Sequence, residues 1–185
     1  DHNMSQLTEK TVSQDYRFRG RIINLRVDQA ELPNGQLASR EVVEHPGGVC
    51  VAALTEADEL LLVRQFRYPY GEALLELPAG KLEPGEDPLE AGKRELQEET
   101  GAAAERYFSL GKLYPTPGYC GEVIHLYLAT GLRSGATRSD EDGLRGAERL
   151  PLEGGVRRVL ANEIPDAKTQ TAVLKVALLR QQGKV

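Results

Sequence analysis

Residues 80–101 constrain this chain more than any other stretch. They read Gly80-Lys-Leu-Glu-Pro-Gly-Glu86, then seven residues, then Arg94-Glu95-Leu96-Gln97-Glu98-Glu99-Thr100-Gly101. A glycine-rich loop therefore runs straight into a short acidic helix. Asp87 can cap that helix, Pro88 suits its first position, and Glu90 completes a capping-box-like pair. Gly101, able to take the left-handed conformation, ends it after Thr100. At about 100° per residue, Leu89 and Leu96 share a stripe that should face a core, with Glu90, Lys93 and Gln97 opposite. Glu95 and Glu99 fall together beside the stripe, flanked by Glu98. Like charges four apart destabilise even an exposed helix by about 0.2–0.5 kcal/mol. Partial burial raises that cost, because low dielectric strengthens the repulsion. A bound cation relieves it. Arg94, four residues before Glu98, is expected to pair with Glu98 and orient it, which leaves Glu95 and Glu99 as the primary metal ligands. Mg²⁺, with Mn²⁺ as a substitute, suits carboxylates shared with water and phosphate. The alternative for a glutamate-rich helix is a solvated face. An arginine and a glycine loop at fixed spacing weigh against it.

These residues resemble the signature of the Nudix hydrolases, G-x5-E-x7-R-E-U-x-E-E-x-G-U, where U is aliphatic. Gly80, Glu86, Arg94, Glu95, Leu96, Glu98, Glu99 and Gly101 match in register. Ala102 is smaller than the usual last residue, which touches packing rather than chemistry. The resemblance implies hydrolysis of a nucleoside diphosphate linked to another moiety, with metal held by Glu95 and Glu99 and with Glu98 nearby. It also implies a metal contact from the Ala79 carbonyl and a supporting role for Glu86 in the loop-helix geometry.

The rest of the chain supplies context. Its 185 residues fit one domain, or one domain with a small appendage. A net charge of −5 argues against nucleic-acid binding. No apolar run approaches the roughly 18 residues of a membrane span, and no secretory leader is expected. Asp1, His2 and Asn3, ahead of Met4, read as an artificial extension. Cys50 and Cys120 read as free thiols of a reducing, cytoplasmic protein; the alternative is a catalytic Cys120. Zinc-ligand spacing is missing.

Residues 16–45 read as β structure: Tyr16–Val27 alternates polar and apolar residues, Pro33-Asn34-Gly35 turns the chain, and Ala38–His45 continues it. Pro46-Gly47-Gly48 marks a boundary between a β domain, residues 1–47, and a second domain, residues 48–185. Strands are expected at 49–54, 60–66, 73–77, 107–113 and 123–130, with a long loop over 131–146. Asp166 opens a final helix carrying Ala172, Val173, Val176 and Leu179 on one face, and Gly183 stops it. Strands mixed with two or three helices give an α/β or α+β sandwich. The resemblance implies its Nudix form: an α/β/α sandwich with a mixed sheet, preceded by a small antiparallel β domain.

Features outside the signature resemble the ADP-ribose pyrophosphatases of that family. Tyr114-Pro-Thr-Pro117-Gly-Tyr-Cys-Gly-Glu122 places Pro117 fifteen residues past Ala102. Arg40–Gly48, Gln65–Pro69, Glu76–Gly80 and Ile164–Thr169 resemble further segments of that subfamily. The resemblance implies a phosphate contact from Arg67, weaker substrate roles for Glu76 and Arg40, and a catalytic base in the acidic loop Ser139–Gly143. Glu141 is the expected base, with Asp140 or Asp142 behind it. It further implies a homodimer that exchanges its N-terminal β domains, with Tyr16 and Phe18 as base-stacking candidates. The expected reaction is Mg²⁺-dependent cleavage of ADP-ribose to AMP and ribose 5-phosphate. Two alternatives stand beside it: another nucleoside-diphosphate sugar such as GDP-mannose or ADP-glucose, and a Nudix domain that senses nucleotides without turnover.

Overall fold

The structure is a computed structural model, and it describes residues 7–134 and 147–185. Two units divide the chain: residues 1–47 with 114–122, and residues 48–113 with 123–185.

The first unit is a three-stranded antiparallel sheet in the order β1-β2-β3, with β1 Lys10–Arg19, β2 Asn24–Glu31 and β3 Leu37–Glu44. Tyr16–Val27, expected as β structure, spans the end of β1 and the start of β2. The chain turns at 20–23, where the Gly20 N–H donates to the Ile23 carbonyl at 2.8 Å, and Phe18 then lies across from Leu25. Alternation continues through both strands, so the pattern alone does not expose the turn. The expected turn at 33–35 joins β2 to β3, with Gly35 at φ +84°. Tyr114–Glu122 lies along β3: the Val43 N–H donates to Tyr119 at 2.7 Å, and the Gly121 N–H donates to Val43 at 3.0 Å.

The second unit is built on β4, Gly48–Ala53, whose six residues are all buried. β4 runs parallel to β9 (Ile124–Ser134) and antiparallel to β7 (Ala79–Lys81), and β8 (Ala102–Leu113) completes a sheet ordered β7-β4-β9-β8. Both faces of β4 are covered, which is why it reads as a continuous apolar run. Cys50 and Ala52 pack in one core with Ala172, Val173 and Val176 of α3 (Ala167–Gln181). Val51 and Ala53 pack in another with Leu96 of α1 (Pro88–Thr100). A mixed sheet thus lies between helices, the expected α/β/α arrangement. A second sheet has the order β10-β5-β6, from Glu148–Pro151, Glu59–Arg67 and Glu72–Glu76. A helix not located from the sequence, α2, spans Leu152–Leu160. No helix of the described residues is long and apolar enough to cross a membrane.

Candidate active site

The acidic helix forms where its end signals place it. Asp87 Oδ2 accepts the Glu90 N–H at 3.2 Å, and Gly101, at φ +74°, donates to the Gln97 carbonyl at 2.8 Å. Half of the expected capping box forms, since the Glu90 carboxylate turns to Lys93 instead. Ala91, Gly92, Leu96 and Thr100 are buried, Glu95 and Glu99 are half-buried at the margin, and Glu98 is exposed.

Arg94 organises the cluster. Its Nε and Nη2 grip both oxygens of Glu86 at 2.9 Å each. Its Nη1 donates to Glu95 at 2.9 Å and to Glu98 at 3.3 Å. The expected Arg94–Glu98 pair therefore exists, but it is the longest of these carboxylate contacts, and the bidentate grip falls on Glu86. The planar guanidinium fork matches the two oxygens of one carboxylate, and Glu86 stands fixed at the mouth of the helix, its Oε1 also accepting the Glu83 N–H at 3.1 Å. Nor is Glu95 free, as the helix spacing suggested. The Arg94 bond and a backbone bond hold the Glu86 carboxyl below the usual carboxylate range, and the Glu86 bond in turn raises Arg94.

Glu95 and Glu99 lie against the backbone of β7. A Cβ on Gly80 would fall 2.1 Å from the Glu95 carboxyl carbon, so only glycine permits this approach. Glu99 Oε2 accepts the Ala79 N–H at 3.3 Å. Burial pushes the Glu99 carboxyl up to about 7, against the Ala79 bond and with help from Glu95 and Glu76. Burial also raises Glu95, against the pull of Arg94. Two half-buried carboxylates, one of them bonded to Arg94 and both backed by peptide groups, make a donor set suited to a hard divalent cation. Among the described residues no three His, Cys, Asp or Glu side chains converge into a metal cage. Mg²⁺ does not need one, because water and substrate phosphates complete its octahedron.

A second cluster holds Arg67 and Glu76. Glu76 is wholly buried. Arg67 Nε and Nη2 donate to its two oxygens at 2.7 and 2.6 Å, and Lys168 Nζ donates to Oε1 at 2.7 Å. Glu76, expected as an acid facing substrate, is thus enclosed between two cations. Lys168 was not singled out from the sequence. It is the second residue of α3, a helix whose register marks that position only as buried, and its partner is remote in sequence.

In the first unit, Arg40 pairs with Glu9 at 2.6 Å, and both line a cavity of about 320 Å³ with Asp28, Glu41, Pro117 and Cys120. The Tyr16 ring is covered by the Arg19 guanidinium at 3.9 Å, and its hydroxyl donates to Glu44 at 2.8 Å. Phe18 is more than half exposed. Both cysteines are free, and burial pushes the Cys50 thiol up to about 12. Asp140, Glu141 and Asp142 lie outside the described residues.

Residues 44–169 match the NUDIX domain, and residues 9–43 match the nucleoside diphosphate sugar hydrolase N-terminal domain. The chain is 40% identical to an ADP-ribose pyrophosphatase of Bacillus subtilis, over 97% of this chain and 100% of the relative. It is 42% identical to a methanol dehydrogenase activator of Bacillus methanolicus, over 89% and 90%. The crystal structure of an ADP compounds hydrolase superposes with a TM-score of 0.79 at 26% identity, covering 97% of this chain and 98% of that one. With its glycine loop, its arginine-bound glutamates and these matches, the chain belongs to the Nudix hydrolases and carries the N-terminal domain of the nucleoside diphosphate sugar hydrolases.

Proposed function

We propose that this enzyme hydrolyses the pyrophosphate of ADP-ribose, giving AMP and ribose 5-phosphate. The observation that carries the reading is the half-buried Glu95–Glu99 pair, set against Ala79 and Gly80, with burial pushing the Glu99 carboxyl up to about 7. Glu95, Glu99 and the Ala79 carbonyl would hold Mg²⁺, or Mn²⁺ in its place, which when bound polarises the diphosphate and acidifies a water. Arg94 keeps Glu86, Glu95 and Glu98 in register. Glu76 uses two of the five Arg67 N–H groups, and the remaining three serve a substrate phosphate. Glu141 takes the proton of the attacking water. The water oxygen bonds to one phosphorus, and the bridging P–O bond breaks toward the other phosphate. Arg40 and Pro117, on the cavity of the first unit, are assigned to the nucleoside. The exposed Val12, Phe18 and Ile22 of the N-terminal sheet suit a homodimer contact.

The relative from Bacillus subtilis supports ADP-ribose as substrate. The N-terminal domain match favours the wider class of nucleoside-diphosphate sugars as a second reading. Assaying ADP-ribose, ADP-glucose and GDP-mannose with Mg²⁺ for AMP or GMP release separates them. ADP-ribose should be cleaved fastest, and faster release of GMP would replace the substrate while leaving the chemistry. Glu141→Gln should lower kcat by about 10²-fold or more with little change in KM. An unchanged rate would move the base to Asp140 or Asp142.

A further inference from the structure

We propose that Lys168 is a positioning residue for Arg67, acting through Glu76. The proposal rests on the reading of Arg67 as the arginine that meets a substrate phosphate.

Among the described residues, Arg67 is tethered on one edge, by Glu76. Nε and Nη2 face Glu76, and Nη1 makes no part of that grip. Which way the free edge points depends on how the Glu76 carboxylate is held. Glu76 is shut off from solvent, and among the described residues the side chains of Arg67 and Lys168 hold it. Lys168 Nζ shares Oε1 with Arg67 Nη2 and so fixes the plane of the carboxylate. Lys168 is itself fixed: its ammonium also donates to both oxygens of Asp166, at 3.0 and 3.2 Å. Asp166 is the N-cap of α3, accepting the Thr169 N–H at 3.1 Å and the Thr169 hydroxyl at 2.6 Å. Thr169 Oγ1 accepts the Leu77 N–H at 3.1 Å, joining the helix end to the residue after Glu76. A chain of bonds thus runs from a rigid helix terminus to the guanidinium.

Neutralisation does not require this lysine. Arg67 alone balances Glu76, and the Lys168–Asp166 pair brings two further charges into a buried place. Such pairs are often no more stabilising than apolar residues of the same size. What the lysine adds is direction. Removing it lets the Glu76 carboxylate turn, and the outward edge of Arg67 loses its aim at the phosphate.

The test is a cycle of Arg67→Ala, Lys168→Met and the double variant. It reads KM and kcat with Mg²⁺ and, without turnover, calorimetric binding of ADP-ribose in EDTA. Lys168→Met should weaken binding and raise KM about tenfold, the size of the smaller effects seen for outer partners of metal ligands, with kcat within a few-fold. In the Arg67→Ala background it should add no further loss. Lys168→Gln, which keeps an uncharged N–H donor group, is measured beside it and should lie between wild type and Met, so the comparison survives if the Met variant does not fold. Unchanged binding in a folded Lys168 variant, or the full loss repeated in the Arg67→Ala background, overturns the proposal. If Arg67→Ala itself binds ADP-ribose normally, the phosphate reading of Arg67 falls first and the proposal with it.

Discussion

Two clusters of carboxylates in the second unit differ in charge balance. Around Arg94 stand Glu86, Glu95 and Glu98, and Glu99 follows Glu95 by one turn, so one cation faces four acids. Around Glu76 stand Asp166, Arg67 and Lys168, two cations for two acids. The first cluster is partly open to solvent, and its Glu99 is pushed up to about 7 by burial. The second is closed, with Glu76 wholly buried and Lys168 nearly so. A balanced, closed cluster holds parts in place. An unbalanced, half-open one invites a cation from outside, and the reaction proposed above needs one.

Glu99→Gln should have the largest effect on activity. AMP release should fall more than about a hundredfold, since even outer-shell partners of a metal are worth 10–100-fold. In EDTA the variant should unfold at or above the wild-type midpoint, because a repelled carboxylate has been neutralised. Mg²⁺ at about 100 times its Kd should stabilise the wild type by about 2.7 kcal/mol and the variant much less. Retained turnover would sink the metal assignment. A marked loss of metal-free stability would break the contrast of charge. Lys168→Met should act the other way, with or without Mg²⁺. It leaves Asp166 without its cation and Glu76 with Arg67 alone, and urea unfolding should show a loss of about 3 kcal/mol, the lower end of the range for removing one partner of a buried pair. An unchanged midpoint would show that balance is not what holds the second cluster.

How much of this was legible in the sequence follows from the range of each interaction. Helix α1, its cap at Asp87 and its stop at Gly101 are set by neighbours within one turn, so the residue order reveals them. The Arg94–Glu98 contact was visible as a four-residue spacing. The stronger grip on Glu86 was not, because the path of the loop decides it. Helix α2 escaped because Gly154 and Gly155 in its middle lower helix propensity. Their reason is tertiary: a Cβ on Gly155 would lie 3.0 Å from Leu60, and one on Gly154 would lie 3.2 Å from Leu150. Lys168 escaped for the same kind of reason, since Glu76 lies 92 residues away. The acids at Asp140, Glu141 and Asp142 are legible only as a loop of the right composition after β9, which is why the base still depends on a kinetic test.

pH should have the smallest effects, and for the two ion-paired groups Glu86 and Lys168 they fall at opposite ends. The folded Glu86 carboxyl titrates below its ordinary value of 4.5, mainly through Arg94. As pH falls, the unfolded chain takes up that proton first, and stability rises with pH wherever the unfolded state binds more protons. The Glu86 contribution is therefore complete above 4.5 and lost as pH falls through the lower folded value. Burial pulls Lys168 down, but Asp166 and Glu76 outweigh it and raise the ammonium above its ordinary 10.5. Its contribution is complete below 10.5 and lost as pH rises through the higher folded value. Thermal midpoints of Glu86→Gln and wild type should converge only at the acid end, and those of Lys168→Met and wild type only at the alkaline end. A Lys168→Met gap that stays constant from neutral pH to well above 10.5 would mean the ammonium acts by shape rather than charge. The contrast would then rest on the metal site alone.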